Sequence, residues 1–345
     1  MDPLPSAHLN PLKLPQPSLF TRSQDRLQRL FKIYAATSPA PLPSSGLRIS
    51  REIRYQSELY LPIDEIRRLF YRYYRASLHH APFVVSTPFH EALSWADCFL
   101  QLPDWCQLTA DPAHLFKRLL SDAELHERFI YASFLPSRYN GPGFDRYPAQ
   151  QAWVKGWFAE TGRQGLVRCL DAACGSGEGS WELIEAAEHA GLTPGQVQLE
   201  GWTLDPLEVY AAQNRYLPHL PQRQTAYVRR TDSLVGQGWQ HRLQFRAVDL
   251  LCEGWPAGSY DLVLCNGLLG GPMLHEPAAV RQVVAGLAAQ LKPGGWLLAA
   301  NRFHGGWVKQ LTGEQLADLF RQSGLEVEQA GEGVAGRRQV SGGST

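Results

Sequence analysis

Four polar residues between 171 and 266 each close an apolar run: Asp171, Asp205, Asp249 and Asn266. A carboxylate only accepts hydrogen bonds, so it suits hydroxyl and amino groups. At the end of a second strand, Asp205 can accept from both hydroxyls of a ribose, and Asp249 can accept from an adenine amino group. Asn266 either stands where reacting groups meet or caps its strand. Between Asp171 and the helical pattern that begins at Trp181, the chain turns through Gly175, Gly177 and Gly179. Glycine there lets the backbone take unusual dihedrals and approach a ligand with no Cβ in the way. Asp171 either touches that ligand or holds the turn, and Glu178 is an acid in the first turn of a helix, where the dipole favours it.

These groups converge only if their strands run parallel and open toward one edge. Apolar runs predict strands at 166–173, 197–204, 243–250, 259–266 and 296–302. Helical spacing predicts helices near 178–190, 206–216, 277–291 and 312–323, and a helix from Pro148 with Trp153, Val154, Trp157 and Phe158 on one side. The stripe Val280, Val284, Leu287 and Leu291 reads as core, and a last pair of strands falls near 325–332 and 336–340. Alternation of this kind implies a Rossmann-like, doubly wound α/β fold with a mostly parallel seven-stranded sheet and ligands at the strands' carboxyl ends. That domain is expected to span 148–345.

Residues 1–147 read as an N-terminal extension, a proline-rich arm followed by mainly helical structure. One helix follows Thr21; another, opened by Pro62, carries the stripe Ile66, Phe70, Tyr73 and Tyr74. The latter's Arg67, Arg68, Arg72 and Arg75 suit either a nucleic-acid surface or an ordinary solvated face, and the second reading is preferred. Asp111-Pro112 opens a further helix, and Ser121 with Glu124 forms a capping box for the next.

The chain has 345 residues, is 44% hydrophobic and carries zero formal net charge, so no global field draws it to nucleic acid or anionic lipid. No apolar run approaches the roughly 20 residues of a membrane span, and the opening residues lack the pattern of a signal peptide. A cytoplasmic protein without membrane insertion is expected. The six cysteines show no paired metal-ligand spacing, and Cys169, Cys252 and Cys265 read as reduced core thiols.

Taken together, Asp171-Ala172-Ala173-Cys174-Gly175-Ser176-Gly177, Asp205, Asp249, Asn266 and Leu291-Lys292-Pro293-Gly294-Gly295 resemble the motifs of class I S-adenosylmethionine-dependent methyltransferases. The resemblance covers roughly 148–330. It implies S-adenosylmethionine as cofactor and a binding site comprising Asp171, Ala173, Gly175, Gly177, Glu178, Asp205, Asp249, Leu250 and Asn266. Within that class the chain is most similar to CheR-type chemotaxis methyltransferases. The similarity lies in Ala172-Ala173-Cys174-x-x-Gly177-Glu178, in Ala212-Gln213-Asn214-Arg215-Tyr216, and in the stretch 217–242, where CheR proteins insert a receptor-docking subdomain. The chain departs from CheR at Asn266-Gly267-Leu268-Leu269-Gly270-Gly271, where those proteins have an Arg-Asn-Val-x-Ile-Tyr-Phe-like run. Arg138 and Arg146 stand in only loosely for their Phe-Phe-Arg element.

The CheR resemblance implies a protein carboxylate as acceptor, a group already ionised at neutral pH that needs no general base. The alternatives are a small-molecule acceptor, another site on a protein, or a module that binds cofactor without catalysis. A nicotinamide enzyme would need a Gly-x-Gly-x-x-Gly spacing, and the chain has Gly175-x-Gly177-x-Gly179. Tyr216 reads as packing, and His275 and His304 as surface.

Overall fold

Residues 10–81, 87–136, 143–161, 165–252, 257–300 and 311–340 are described by a computed structural model. The chain divides into two units, Asn10–Pro136 and Ser137–Thr345. Residues 143–147 belong to the second unit, where Phe144 meets the Tyr227 ring edge-on and the Asp145 N–H donates to Glu182.

The first unit holds α1 (Thr21–Thr37), α2 (Arg51–Tyr60), α3 (Ile63–Ser77), α4 (Pro88–Glu91), α5 (Trp95–Gln101), α6 (Pro112–Ser121) and α7 (Ala123–Phe134). The α3 stripe is buried as its spacing predicts. Phe70 stacks on Phe89 with centroids 3.8 Å apart and meets the edges of Tyr73 and Phe116. The α3 arginines brace neighbouring segments: Arg67 donates to the carbonyls of Phe89 and Ala92, and Arg72 to that of Leu19. Asp111 caps α6 as expected. Two local readings change. Helix α7 is capped by Asp122, whose carboxylate accepts from the Leu125 N–H, while the Ser121 hydroxyl turns back to Lys117. Helix α2 has no counterpart in the sequence reading, although Ser50 caps it through the Ile53 N–H.

The second unit runs α8 (Pro148–Thr161), β1 (Val167–Asp171), α9 (Glu178–His189), β2 (Val197–Thr203), α10 (Pro206–Asn214), α11 (Pro221–Gly236), β3 (Leu243–Ala247), β4 (Tyr260–Leu264), α12 (Pro277–Gln290), β5 (Leu291–Ala300), α13 (Gly313–Gln322), β6 (Leu325–Ala330) and β7 (Gly333–Arg338). The sheet order is β3-β2-β1-β4-β5-β7-β6. The first five strands pair in parallel, and β7 is antiparallel to both its neighbours. This is the expected Rossmann-like seven-stranded sheet. Val280, Val284, Leu287 and Leu291 lie in its core with Leu170, Val263 and Leu297.

Two departures bear on the site. The turn at 291–295 is part of β5, whose register on β4 shifts between Tyr260 opposite Leu291 and Leu262 opposite Trp296. The insertion at 217–242 contains one helix, α11, and a short 3-10 turn. Its buried residues Tyr227, Thr231 and Leu234 follow a helical spacing.

Candidate functional site

Asp171 ends β1 opposite Gly201 of β2 and Leu264 of β4, so the following turn leaves the sheet at the carboxyl ends of three strands. The Ala172 N–H donates to the Leu264 carbonyl and the Cys174 N–H to that of Trp202, which threads the turn between β2 and β4. Gly175 (φ +52°) and Gly177 (φ +91°) take left-handed conformations for different reasons. Beyond Gly175 a Cβ would meet nothing within 4 Å, leaving that side open to a ligand. At Gly177 a Cβ would stand 2.7 Å from the Ala212 Cβ and 2.8 Å from the Tyr227 Oη.

Asp171 itself holds the turn. It is 6% exposed and accepts from the Ser180 hydroxyl at 2.7 Å. A further bond from the Ala173 backbone favours its charged form, but burial outweighs both and raises the carboxyl to about 6. Ala173 is half-buried beside it.

Glu178 opens α9 and is 4% exposed. Its Oε1 accepts from Arg223 Nε at 2.7 Å, and its Oε2 from the Ser176 hydroxyl at 2.6 Å. Tyr227 Oη donates to the Ser176 carbonyl at 3.1 Å. Arg223 and Tyr227 both belong to α11, so the helix within the insertion lines the glycine turn. The neighbouring segment is latched down as well: Arg230 pairs with Asp145 at 2.6 Å and with Glu185 at 2.8 Å, and the Asp145 N–H donates to Glu182.

Asp205 lies two residues past β2 and caps α10, its Oδ1 accepting from the Leu207 N–H at 2.8 Å. It is 6% exposed. One turn on, Glu208 accepts from the Thr203 hydroxyl. Burial, then the charge of Asp205, raises Glu208 to about 7. Asp249 is exposed past β3 and accepts from the Leu251 N–H at 2.9 Å, with half-buried Leu250 between them. Asn266 lies two residues past β4 and ties elements together: its Oδ1 accepts from the Ala300 N–H at 2.8 Å, and its Nδ2 donates to fully buried Gln150 at 2.6 Å. Beside it, the Arg146 guanidinium lies 2.9 Å from where a Gly267 Cβ would stand.

The glycine turn, Glu178 and Asp205 therefore share one edge with Asn266, and Asp249 lies further out. Arg223, Tyr227, Glu208 and Gln150 are additions the sequence reading did not make. A readable trace of α11 existed in Pro221 followed by Tyr227, Thr231 and Leu234. Tyr216 is half-buried with its ring edge-on to Tyr210, and His275 is exposed beside Glu276. His304 and Arg138 lie outside the described residues. Cys169, Cys174 and Cys265 are buried thiols, whereas Cys252 is half-buried on the turn after β3. Among the described residues, no cluster of histidine, cysteine and acidic side chains could hold a metal, and no helix is long and apolar enough to cross a membrane.

The buried acids give the unit a pH dependence of definite sign. Burial raises Asp171 to about 6 and Glu182 and Glu208 to about 7, against roughly 4 for free carboxyls. Between about pH 4 and 7 these three carboxyls bind more protons in the folded than in the unfolded chain, so the second unit loses stability as pH rises through that window. Asp97 and Asp145, held low by Arg54 and Arg230, titrate below it. His126 of the first unit, pushed down to about 4 by burial, has the opposite sign. The second unit of the ligand-free protein is expected to melt at a higher temperature near pH ~5 than near pH ~8. A melting temperature that rises across that range would contradict the buried placement of these carboxyls.

The chain matches no protein-family profile and no curated protein. Among solved structures it is similar to an amino pentose methyltransferase from Micromonospora echinaspora with S-adenosylmethionine bound, at 18% identity over 59% of this chain and 96% of that one, TM-score 0.40. A second similarity is to a 1,6-didemethyltoxoflavin-N1-methyltransferase from Burkholderia thailandensis, solved with its substrate and S-adenosylhomocysteine, at 17% identity over 66% and 90%, TM-score 0.38. A third is to the cyclase SpnF, at 21% identity over 56% and 68%, TM-score 0.38. Likeness at this level leaves the reaction and the acceptor open.

Proposed function

We propose that the second unit binds S-adenosylmethionine and transfers its methyl group to a small molecule. The observation that carries the cofactor reading is the convergence of an open glycine turn at Gly175 with buried Asp205 at one carboxyl edge. Asp205 would hold the ribose, and Asp249 and Leu250 the adenine side. The residues fit a positively charged ligand: Glu178, Asp205 and Glu208 are close enough for their charges to interact. A dinucleotide pyrophosphate at this turn would instead face Glu178, which disfavours a nicotinamide cofactor.

When bound, the cofactor supplies an electrophilic methyl group on a sulfonium. The chain's part is to orient the acceptor in line with that bond and to keep water out. The turn at Gly267, packed on Arg146, borders the place where an acceptor would enter. The sequence reading favours a protein carboxylate, partly from the place of 217–242 in the chain. That stretch carries a helix whose Arg223 and Tyr227 hold the glycine turn itself. The Ala172-Ala173-Cys174-x-x-Gly177-Glu178 motif still favours the carboxylate as a second reading.

One experiment separates the two. The protein is incubated with cell lysate and methyl-labelled cofactor, and the products are fractionated and then brought to mild alkali. Label in small-molecule products that survive alkali is the expected result. Label on protein that leaves as volatile methanol would establish the carboxylate ester and overturn the small-molecule reading. Cofactor binding without transfer to any fraction would point to a non-catalytic module.

A further inference from the structure

We propose that Arg223 is a positioning residue for the amino-acid end of the cofactor, acting through Glu178; this rests on the cofactor reading above. Nothing in the sequence resemblance assigns a residue of 217–242 to the cofactor. The geometry does so through four pieces that close around one carboxylate. Arg223 Nε and Nη2 lie 2.7 and 2.6 Å from Glu178 Oε1, and Nη2 also donates to the Ser176 hydroxyl at 3.2 Å. That hydroxyl donates to Glu178 Oε2, and Tyr227 fixes the Ser176 carbonyl from the same helix. Gly143 covers the pair so closely that a Cβ there would lie 3.2 Å from Arg223 Nε and 3.3 Å from Glu178 Oε1. The guanidinium is 15% exposed and the carboxylate 4%.

The α-ammonium of the cofactor only donates hydrogen bonds, so it needs an anionic acceptor in the turn. Arg223 and the Ser176 hydroxyl hold the two oxygens of Glu178 in one orientation at the start of α9. Arg223 therefore places the anion that the ammonium would meet, and α11 contributes a wall of the cofactor site. The other titratable groups facing Glu178 are Tyr227 from α11, Cys174 from the turn and Glu208 from α10.

The test is calorimetric titration of the full chain with S-adenosylhomocysteine and with 5′-methylthioadenosine, which keeps adenine, ribose and thioether but lacks the amino-acid end. Arg223→Gln is expected to bind S-adenosylhomocysteine roughly ten- to hundredfold more weakly. It should bind 5′-methylthioadenosine as wild type does. Arg223→Lys should recover most of the loss, and Glu178→Gln should show the same selective loss. If Arg223→Gln fails to fold, Arg223→Lys and Glu178→Gln carry the same comparison. Wild-type affinity for S-adenosylhomocysteine in the glutamine variants would overturn the proposal, and so would an equal loss of both ligands. Wild-type protein that binds neither ligand would instead overturn the cofactor reading itself.

Discussion

Gly177→Val is expected to abolish cofactor binding and to lower the melting temperature of the second unit by roughly 5–20 °C. Two costs add. A β-branched residue held at φ +91° carries a backbone penalty of ~1–3 kcal/mol. Its side chain also has no room, since even the Cβ would stand 2.7 Å from the Ala212 Cβ, 2.8 Å from the Tyr227 Oη and 3.0 Å from the Phe245 ring. Overpacking of that kind costs a further ~1–3 kcal/mol. The clash pushes α10, α11 and β3 away from the turn, and the Tyr227 bond to the Ser176 carbonyl goes with them. Gly175→Ala supplies the contrast. It carries the backbone penalty at φ +52° with open space around its Cβ, so it should weaken binding with a smaller loss of stability. Thermal melts and titration of both variants decide the matter. Equal melting temperatures for Gly177→Val and wild type would mean that α11 does not rest on the turn.

The glycines were legible in the sequence, but the reason for Gly177 was not. Strand, turn and helix could be read from an apolar run, three glycines and an amphipathic pattern. Which side of the turn a glycine faces depends on Ala212, Tyr227 and Phe245, all more than thirty residues away in the chain. The sheet was readable for the same local reason: strands such as 167–171 and 260–264 are apolar runs bounded by polar residues. The site residues Arg223, Glu208 and Gln150 were not, because a buried ion pair or amide leaves no periodic trace, and only the folded chain brings Arg223 to Glu178. The insertion was read from its place in the chain and its size, while its own spacing at Tyr227, Thr231 and Leu234 carried the helix. Asn266 shows the converse: the sequence reading ends its strand there, the residue lies two positions past β4, and its hydrogen bonds to Gln150 and Ala300 brace α8 against β5.

Asp205 has two roles that a pair of substitutions can separate. Its Oδ1 caps α10 through the Leu207 N–H, and in the cofactor reading its carboxylate accepts from the ribose. Asp205→Ala removes both roles. It should lose ~1 kcal/mol of stability with the cap and ~1.5–3 kcal/mol of S-adenosylhomocysteine affinity. Asp205→Asn keeps the cap, because asparagine serves at that position as well as aspartate, but it removes the charge. That variant is expected to melt close to wild type and still bind the cofactor about tenfold more weakly or worse. Its neighbour reports on the same change. The charge of Asp205 helps raise Glu208 to about 7, so neutralising it lets Glu208 ionise at lower pH. The pH range over which the ligand-free protein loses stability should then shift downward in Asp205→Asn relative to wild type, because a smaller difference between folded and unfolded proton affinity remains to be titrated. A shifted pH profile with unchanged cofactor affinity would place Asp205 beside Glu208 but outside the ribose site. Weakened affinity together with the shifted profile assigns it to both.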